Sequence, residues 1–364
     1  MNGLSIRFRR LAALVVIVAI PGAPTAGLAQ VEFDHMRADG RDIRMTVIAD
    51  GIYQFMTMRD SYVRQLNTVV VVNDRDVLVF DTGTRPSCAR QILAAIRKIT
   101  SKPIRYLVNS HGHPDHWSGN MVYADAYPDV DIIATALTRD AMQRMAGVWG
   151  PRFSAELTSR RAALAAELTS GRREDGSTPT PAELAQEKSD VDEYAIFTDE
   201  TLKLRRVFPT IAFMDTLSFF HGGREFRFMS VTGDAEGTTV LYLPRERVLI
   251  TGDAISYPIP YYNAKLASQA ASLRMLAGLN ASVILPGHGP AFHDNVFLGL
   301  ELRLIEAVSK GVADAKAGGV RTLEEMQTVV TADELRESFA HGDRDLEARF
   351  RTRVKALVVF AMAE

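Results

Sequence analysis

The stretch that decides the fold is HGHPDHWSGN, residues 111–120. Four side chains that can bind metal occur within six positions, at a spacing that cannot share one face of a helix, where neighbours lie three or four residues apart. Such a spacing suits a loop that places side chains around a point. The preceding run Pro103–Asn109 is rich in apolar residues and predicts a buried strand. We therefore expect a chemically active loop at the end of a strand, where rigid scaffolds present function.

The polar side chains of this stretch form a set of metal ligands. The imidazoles and the carboxylate of His111, His113, Asp115 and His116 suit zinc, or iron and manganese where carboxylates dominate. Because the adjacent Asp115 and His116 cannot easily serve the same ion as the first two histidines, the set predicts two ions. The chain has eight His in 364 residues, so three within six positions are improbable by chance. The alternative is a His-rich loop that merely caps a helix.

Three further segments give the chain a family resemblance. They are Val77–Gly83 (VLVFDTG), Val248–Asp253 (VLITGD) and Leu285–Pro290 (LPGHGP). With the His-x-His-x-Asp-His loop they resemble, in the right order, the motifs of the metallo-β-lactamase superfamily of hydrolases, over about residues 43–300. The resemblance implies an α/β fold, the four-layer αβ/βα sandwich. It also implies that Asp253 bridges two metals and that His288 is the last ligand.

One position departs from the pattern of that family. The family has a Gly-x-x-His-Thr-x-Gly loop before the bridging residue, and its His is the third ligand of the first metal. Counting back from the predicted strand Thr239–Leu243 places Asp234 at that position. One interpretation is a carboxylate ligand, since the alkylsulfatase branch is similar in placing an acidic ligand here. The other is a decayed first site, in which Asp234 is a turn residue, a role that Asp fills well.

The resemblance implies two ligand sets, and these determine the net charge of the metal centre. The first metal has His111, His113 and Asp234, and the second has Asp115, His116 and His288, with Asp253 between them. Two divalent ions carry a charge of +4, which three aspartates and a bridging hydroxide reduce to zero. The usual His would leave +1. A less positive centre lowers the pKa of its bound water less. We therefore expect a higher working pH or an activated substrate, and tolerance of manganese or iron in the first site.

The resemblance implies a hydrolase of small molecules. Two Zn²⁺ ions a few ångströms apart hold a hydroxide that attacks an ester, lactone, amide or β-lactam-type bond. Asp115 is the expected catalytic residue, which orients the nucleophile or moves its proton, and Asp81 is expected to fix a loop or a ligand. The fold does not define the substrate. An alkylsulfatase-like sulfate esterase is an alternative supported by Asp234 alone, since a fuller match would have Glu instead of Asp253.

Two other classes of function remain open. His111, His113 and Asp234 would give one ion the two-His, one-carboxylate set of non-haem iron oxygenases, and the superfamily includes iron-dependent persulfide dioxygenases. The intact second ligand set argues against a mononuclear oxygenase. The last alternative is a non-catalytic metal-binding protein with a crippled first site, which turnover that depends on metal would exclude.

Tyrosines after the expected bridging residue are candidates for the wall of a substrate pocket. These are Tyr257, Tyr261 and Tyr262. A Tyr hydroxyl close to the metals could donate a hydrogen bond to a developing oxyanion. The alternative is that the rings simply pack, as most buried aromatic side chains do.

Composition and the N-terminal segment fit a secreted globular enzyme. The chain has 42 basic and 44 acidic residues and a net charge of −2, so charge gives no case for nucleic acid as a partner. Residues 1–29 predict a secretory signal, with three arginines before the apolar run Leu11–Ile20. That run is too short to span a bilayer. We expect a periplasmic or secreted protein with no stable membrane insertion after cleavage; an uncleaved anchor is the alternative.

The hydrophobic pattern divides the remaining chain. Residues 43–80 alternate and predict antiparallel strands. Residues 138–203 are helical and charged, which predicts an insertion that covers the site or a solvated hairpin. Strand patterns then return, including Ala212–Leu217. Residues 301–364 predict a C-terminal helical extension, and three helices are expected after about residue 295. These helices pack on the sandwich or on a second subunit, which leaves a homodimer open.

Overall fold

Two sheets form the centre of the molecule. The structure, a computed structural model, describes residues 43–57, 66–172 and 176–364, so the predicted signal segment lies outside it. The strands of the first sheet are, in spatial order, β1 (Ile43–Ala49), β2 (Ile52–Thr57), β3 (Asn67–Val72), β4 (Val77–Phe80), β5 (Ile104–Val108), β6 (Asp131–Thr135) and β7 (Ile211–Phe213). Neighbours are antiparallel from β1 to β4 and parallel from β4 to β7.

The second sheet has five strands. They are β8 (Thr216–His221), β9 (Arg224–Thr232), β10 (Glu236–Leu243), β11 (Val248–Ser256) and β12 (Val283–His288), in the spatial order β12-β11-β10-β9-β8. The pairs from β8 to β11 are antiparallel, and β11 and β12 are parallel. Asp253 lies within β11, and His288 is the last residue of β12.

Helices cover the outer faces of both sheets. They are α1 (Pro86–Ile99), α2 (Pro114–Trp117), α3 (Asn120–Ala126), α4 (Ala136–Ser170), α5 (Pro181–Leu202), α6 (Leu266–Gly278), α7 (Val296–Ala317), α8 (Leu323–Val329), α9 (Asp333–Ala340) and α10 (Arg344–Ala363). In the described part of the chain, no helix is both long and apolar enough to cross a bilayer. Helices α4 and α5 occupy the predicted insertion, although its boundaries and those of the C-terminal extension remain predictions.

Strand β4 shows why the layers stack as they do. Leu78 and Phe80 point into the core between the sheets, with Phe226 and Ile250 of the second sheet. Val77 and Val79 point to the other side and pack with residues of α1 and α3. A third core joins the second sheet to α6, α7 and α10. Strands that are buried on both faces are apolar throughout, as here. The predicted four-layer αβ/βα sandwich is confirmed.

Two predicted elements were wrong. The run Ala212–Leu217, expected to be one strand, is divided between the sheets, because the chain leaves the first sheet at the exposed Met214 and Asp215 and enters the second. Alternation alone does not reveal such a change of sheet. The C-terminal region forms four helices instead of three. Helix α8 is short, and the Thr322–Glu325 capping box stabilises its start.

Candidate metal centre

The seven predicted ligands come together at one edge of the sandwich. The loop after β5 carries His111, His113, Asp115 and His116; the turn between β9 and β10 carries Asp234; and β11 and the end of β12 carry Asp253 and His288. The first sheet thus presents four of these side chains and the second sheet presents three. They form three overlapping groups whose ligand atoms lie within 4.8 Å of one another.

The first group is His111, His113 and Asp234. Nδ1 of His113 lies 2.7 Å from Oδ2 of Asp234 and 2.9 Å from Nε2 of His111. The distance from Nε2 of His111 to Oδ2 of Asp234 is 3.7 Å. Two ligands about 2.1 Å from one ion lie about 3.4 Å apart at the tetrahedral angle. The spacing of this group therefore fits a single divalent ion.

The second group is Asp115, His116 and His288. Oδ2 of Asp115 lies 3.4 Å from Nε2 of His116 and 3.6 Å from Nε2 of His288. Both distances again match ligands of one ion. This group is the more open one, because the side chain of Asp115 is 30% exposed and that of His288 is 19% exposed.

Asp253 lies between the two groups. Its Oδ2 is 3.8 Å from Nε2 of His111, 3.5 Å from Nε2 of His116 and 3.4 Å from Nε2 of His288. No other carboxylate oxygen in the described part of the chain is within 4 Å of imidazoles from both groups. Asp253 is thus the carboxylate that reaches both groups.

Unpartnered polar atoms point into this space. Nε2 of His116 and Oδ1 of Asp253 are buried and have no hydrogen-bond partner among the described residues. Within the same residues, the carboxylates of Asp115, Asp234 and Asp253 have only imidazoles as ion-pair partners. Buried carboxylates without a cation are costly. The donor set and the spacing therefore fit two divalent cations, whose identity the residues leave open.

A buried hydrogen-bond network holds His116. Oδ2 of Asp81 lies 2.7 Å from Nδ1 of His116 and accepts a hydrogen bond from the hydroxyl of Ser110. The backbone N–H of Ser110 donates to Oδ1 of Asp81. Burial raises the pKa of Asp81, although the charge of His116 opposes this. Asp81 is not among the possible metal groups of the described residues, so it lies where the sequence placed it, as a residue that fixes a ligand.

A second network holds Asp234. The Nδ2 group of Asn263 donates to Oδ1 of Asp234 over 2.7 Å, and the backbone N–H of Asn263 donates to the carbonyl of Asp234. The N–H of Asp234 donates to the carbonyl of Asp253. These bonds leave Oδ2 of Asp234 to face His113, and the side chain of Asp234 is 2% exposed. Asp234 is thus a buried and oriented carboxylate, unlike an ordinary turn residue. No local spacing in the sequence could have identified Asn263.

Charges inside the cluster set the protonation of its members. Burial, together with the charge of His116, lowers the pKa of His111 well below its usual range, which keeps this imidazole neutral. Burial opposes ionisation of Asp253, yet His288 and His116 hold its pKa well below the usual range. Asp115 is similar: burial opposes its charge, and His116 lowers its pKa. Neutral imidazoles and charged carboxylates are the forms that bind metals.

Burial raises the pKa of Asp234, which sets it apart from the other two carboxylates of the cluster. The hydrogen bond and charge of His113 oppose the shift. Burial would lower the pKa of His113, but Asp234 raises it. The contact between Nδ1 of His113 and Oδ2 of Asp234 is 2.7 Å, and a proton held there would have to leave for an ion to bind at the first group.

Close packing of backbone positions the bridging carboxylate. A Cβ atom on Gly287 would lie 2.0 Å from Oδ1 of Asp253 and 2.9 Å from the carbonyl carbon of Gly252. Only a residue without a side chain allows β12 to run this close to Asp253. The glycine of the LPGHGP motif therefore has a steric role next to the site.

The three candidate tyrosines have different environments. Tyr262 is fully buried and interacts with Glu301 of α7. Tyr257 packs against Phe292 and Phe297. Tyr261 is 41% exposed and lies under the guanidinium group of Arg353 from α10. Two of the three rings therefore pack in the interior, and Tyr261 is the one at the surface.

A known protein family matches this chain. The sequence profile of the metallo-beta-lactamase superfamily matches residues 61–288, which is more than half of the chain. The protein therefore belongs to this superfamily, whose members are mostly hydrolases.

Two known proteins are similar to this chain. A linear primary-alkylsulfatase from Pseudomonas sp. (strain ATCC 19151) is 27% identical over 225 residues, which are 58% of this chain and 39% of the relative. The chain thus matches about two fifths of the length of this curated relative. A solved metallo-beta-lactamase from Pontibacter korlensis is 18% identical with a TM-score of 0.49, over 73% of this chain and 99% of that one.

Proposed function

We propose that the protein is a binuclear metal-dependent hydrolase of small molecules. The observation that carries the proposal is the division of seven side chains into two ligand groups, with Asp253 between them. His111, His113 and Asp234 would hold one cation, and Asp115, His116 and His288 would hold the other. Zinc suits both groups, and manganese or iron suits the first, because a carboxylate replaces an imidazole there.

Bound at these positions, two divalent cations would lower the pKa of a water molecule and polarise the scissile bond of an ester, lactone, amide or β-lactam. The opening of the site defines where a substrate approaches. His113 and Asp115 are 29% and 30% exposed, whereas Asp234 and His116 are almost fully buried. Asp115 is the most exposed carboxylate of the cluster. It is therefore placed to orient a water molecule, take its proton and deliver it to the leaving group.

A sulfate esterase is the second candidate. Two observations favour it: the carboxylate of Asp234 in the first group, and the 27% identity to a protein named linear primary-alkylsulfatase. Asp253 instead of Glu at the bridge is the departure from that branch. The reaction would cleave an alkyl sulfate with water to give an alcohol and hydrogen sulfate. Hydrolysis in ¹⁸O water would show which bond breaks, since S–O cleavage places the label in the sulfate.

We further propose that the protein is exported, on the strength of the N-terminal pattern of residues 1–29. The expected result is a periplasmic or extracellular protein whose N-terminus begins near residue 30. Mass spectrometry of the fractionated protein tests this. An intact N-terminus in the membrane fraction would instead indicate an anchor.

The test of the hydrolase proposal is a metal-dependent assay. Protein treated with chelator should lose turnover of a panel of neutral esters, lactones, β-lactams and alkyl sulfates, and should recover it with zinc or manganese. His288→Ala should abolish the recovery. His293→Ala is the matched control, because His293 is exposed and lies close by in the chain. Turnover that survives chelation, or oxygen consumption with persulfides, would contradict a metal-dependent hydrolase. Tight metal binding without any turnover would indicate a binding protein.

A further inference from the structure

A guanidinium group from the last helix lies close to the first ligand group. Arg353 belongs to α10, outside the residues that match the superfamily. Phe350, Val354 and Leu357 of the same helix are buried in the core shared with the second sheet. Because these neighbours fix the helix, the base of the Arg353 side chain has a defined position.

A short chain of contacts connects Arg353 to Asp234. The guanidinium carbon lies 3.7 Å from the centre of the Tyr261 ring, a close cation–π contact. Two residues further on, Asn263 donates its hydrogen bond to Asp234. Burial lowers the pKa of Arg353, and the charges of Tyr261 and Asp234 counteract this shift. Arg353 is thus within electrostatic reach of the first ligand group.

Among the described residues, the guanidinium group of Arg353 has no carboxylate as an ion-pair partner. Its Nε is buried without a hydrogen-bond partner among the same residues. Arg351, two residues earlier, is exposed and pairs with Glu347 at 3.0 Å. A half-buried guanidinium without an anion is unfavourable. Stacking on Tyr261 and a side-chain hydrogen bond to that residue do not supply a full opposite charge at its side.

We infer that Arg353 binds an anionic group of the substrate, such as a sulfate or a carboxylate, beside the first ligand group. The inference rests on the proposed hydrolase function and assigns its substrate class. Two divalent cations, three aspartates and a hydroxide sum to zero, so the centre itself attracts an anion weakly. Arg353 adds a positive charge close to Asp234. Its planar fork can donate two parallel hydrogen bonds to such an oxyanion.

Arg353→Met tests the inference, with Arg351→Met as the matched control on the same helix. For p-nitrophenyl sulfate or another anionic ester, we expect Arg353→Met to raise KM about 10–100-fold with little change in kcat, the usual size of a charged hydrogen bond. KM for the neutral p-nitrophenyl acetate should not change. Arg353→Lys should restore part of the loss, and equal melting temperatures would confirm that the variants fold.

Binding of inorganic sulfate, measured by calorimetry on the metal-loaded protein, gives a readout independent of turnover. Wild type and Arg351→Met should bind sulfate, and Arg353→Met should bind it about 10–100-fold more weakly. If no substrate is turned over but Arg353→Met binds sulfate more weakly than wild type, the hydrolase proposal fails and the anion site is retained. The inference is overturned if Arg353→Met changes KM equally for anionic and neutral substrates, or if its sulfate affinity is unchanged. Arg353 would then only pack against Tyr261.

Discussion

Oδ2 of Asp81 and Nδ1 of His116 are 2.7 Å apart, and both side chains are buried. This contact turns the other ring nitrogen, Nε2, toward Asp115 and Asp253. A carboxylate behind a histidine fixes the orientation of the ring and makes it a better ligand. The second metal position therefore depends on a residue that does not itself face the metal.

Asp81→Ala should weaken binding of the second metal about 10–100-fold, because His116 loses the group that orients it. Titration of the apoprotein with zinc measures this. Asp76→Ala is the control, since Asp76 also contacts a histidine, His221 at 2.5 Å, but lies at the opposite end of β4. Equal losses in both variants would mean that the effect is general destabilisation.

Asp234→Ala should reduce the metal content from two ions per chain to one, because the first group keeps only two imidazoles. Elemental mass spectrometry of the purified protein measures it. Asp215→Ala, at an exposed position, should retain both ions. Asp234 is not a ligand if Asp234→Ala keeps two ions, or if the wild type and Asp234→Ala each contain one ion.

Asp234→His should lower the pH at which activity rises. An imidazole in place of the carboxylate makes the centre more positive by one charge, and a more positive centre lowers the pKa of bound water further. The pH profile of kcat/KM for a neutral substrate gives the result. A profile identical to wild type would refute the expected influence of Asp234 on the nucleophile.

Gly287→Ala should lower the metal affinity, because its methyl group would collide with Oδ1 of Asp253 at 2.0 Å. Gly299→Ala is the opposite case: Gly299 lies inside α7 with no neighbouring atom within 4 Å of the added methyl. That variant should be more stable by about 0.5–1 kcal/mol, the helix preference of Ala over Gly. Thermal melts and zinc titrations of both proteins test the pair. Unchanged zinc binding by Gly287→Ala would show that the strand can move away.

Stability should fall as the pH rises, because of Glu301. Burial raises its pKa to about 8 from an ordinary value of 4.5. The folded state therefore holds the proton more tightly than the unfolded state. Its stabilising effect is complete below about pH 4.5 and is lost as the pH rises to about 8, by at most about 1.4 kcal/mol per pH unit.

Glu301→Gln should remove this pH dependence and be more stable than wild type at pH 8. Denaturant unfolding at pH 5, 6.5 and 8 measures the difference. The control is Glu306→Gln, at an exposed position of the same helix. If wild type and Glu301→Gln show parallel pH profiles, Glu301 is ionised or hydrated in the folded protein.

The sequence predicted those features that local pattern determines. Apolar strands and helical patterns alone indicated an α/β fold, and the resemblance carried by the four motifs implied the sandwich and the seven candidate ligands. Counting back from a strand was enough to place Asp234. The role of the seven side chains as metal ligands is still a prediction, which the metal titrations above test.

Other features depend on contacts that no local pattern encodes. Asn263 and Arg353 lie in segments without a motif, and their positions depend on how α10 and the loop after β11 pack. The buried pair of Glu301 and Tyr262 likewise joins a helix to that loop. The change of sheet at Met214 depends on the competition between two sheet edges for a short apolar run.

Neither of the two proposed metal positions is complete in one half of the molecule. The first takes two imidazoles from the loop after β5 and Asp234 from the second sheet; the second takes Asp115 and His116 from that loop and His288 from β12. A chain in which only one sheet has formed would offer each ion at most two of these protein ligands. Such a chain would release its ions to any competing chelator, so retention of both metals would report that the two sheets have docked. Metal retention could therefore serve as an assay of complete folding in every variant described above.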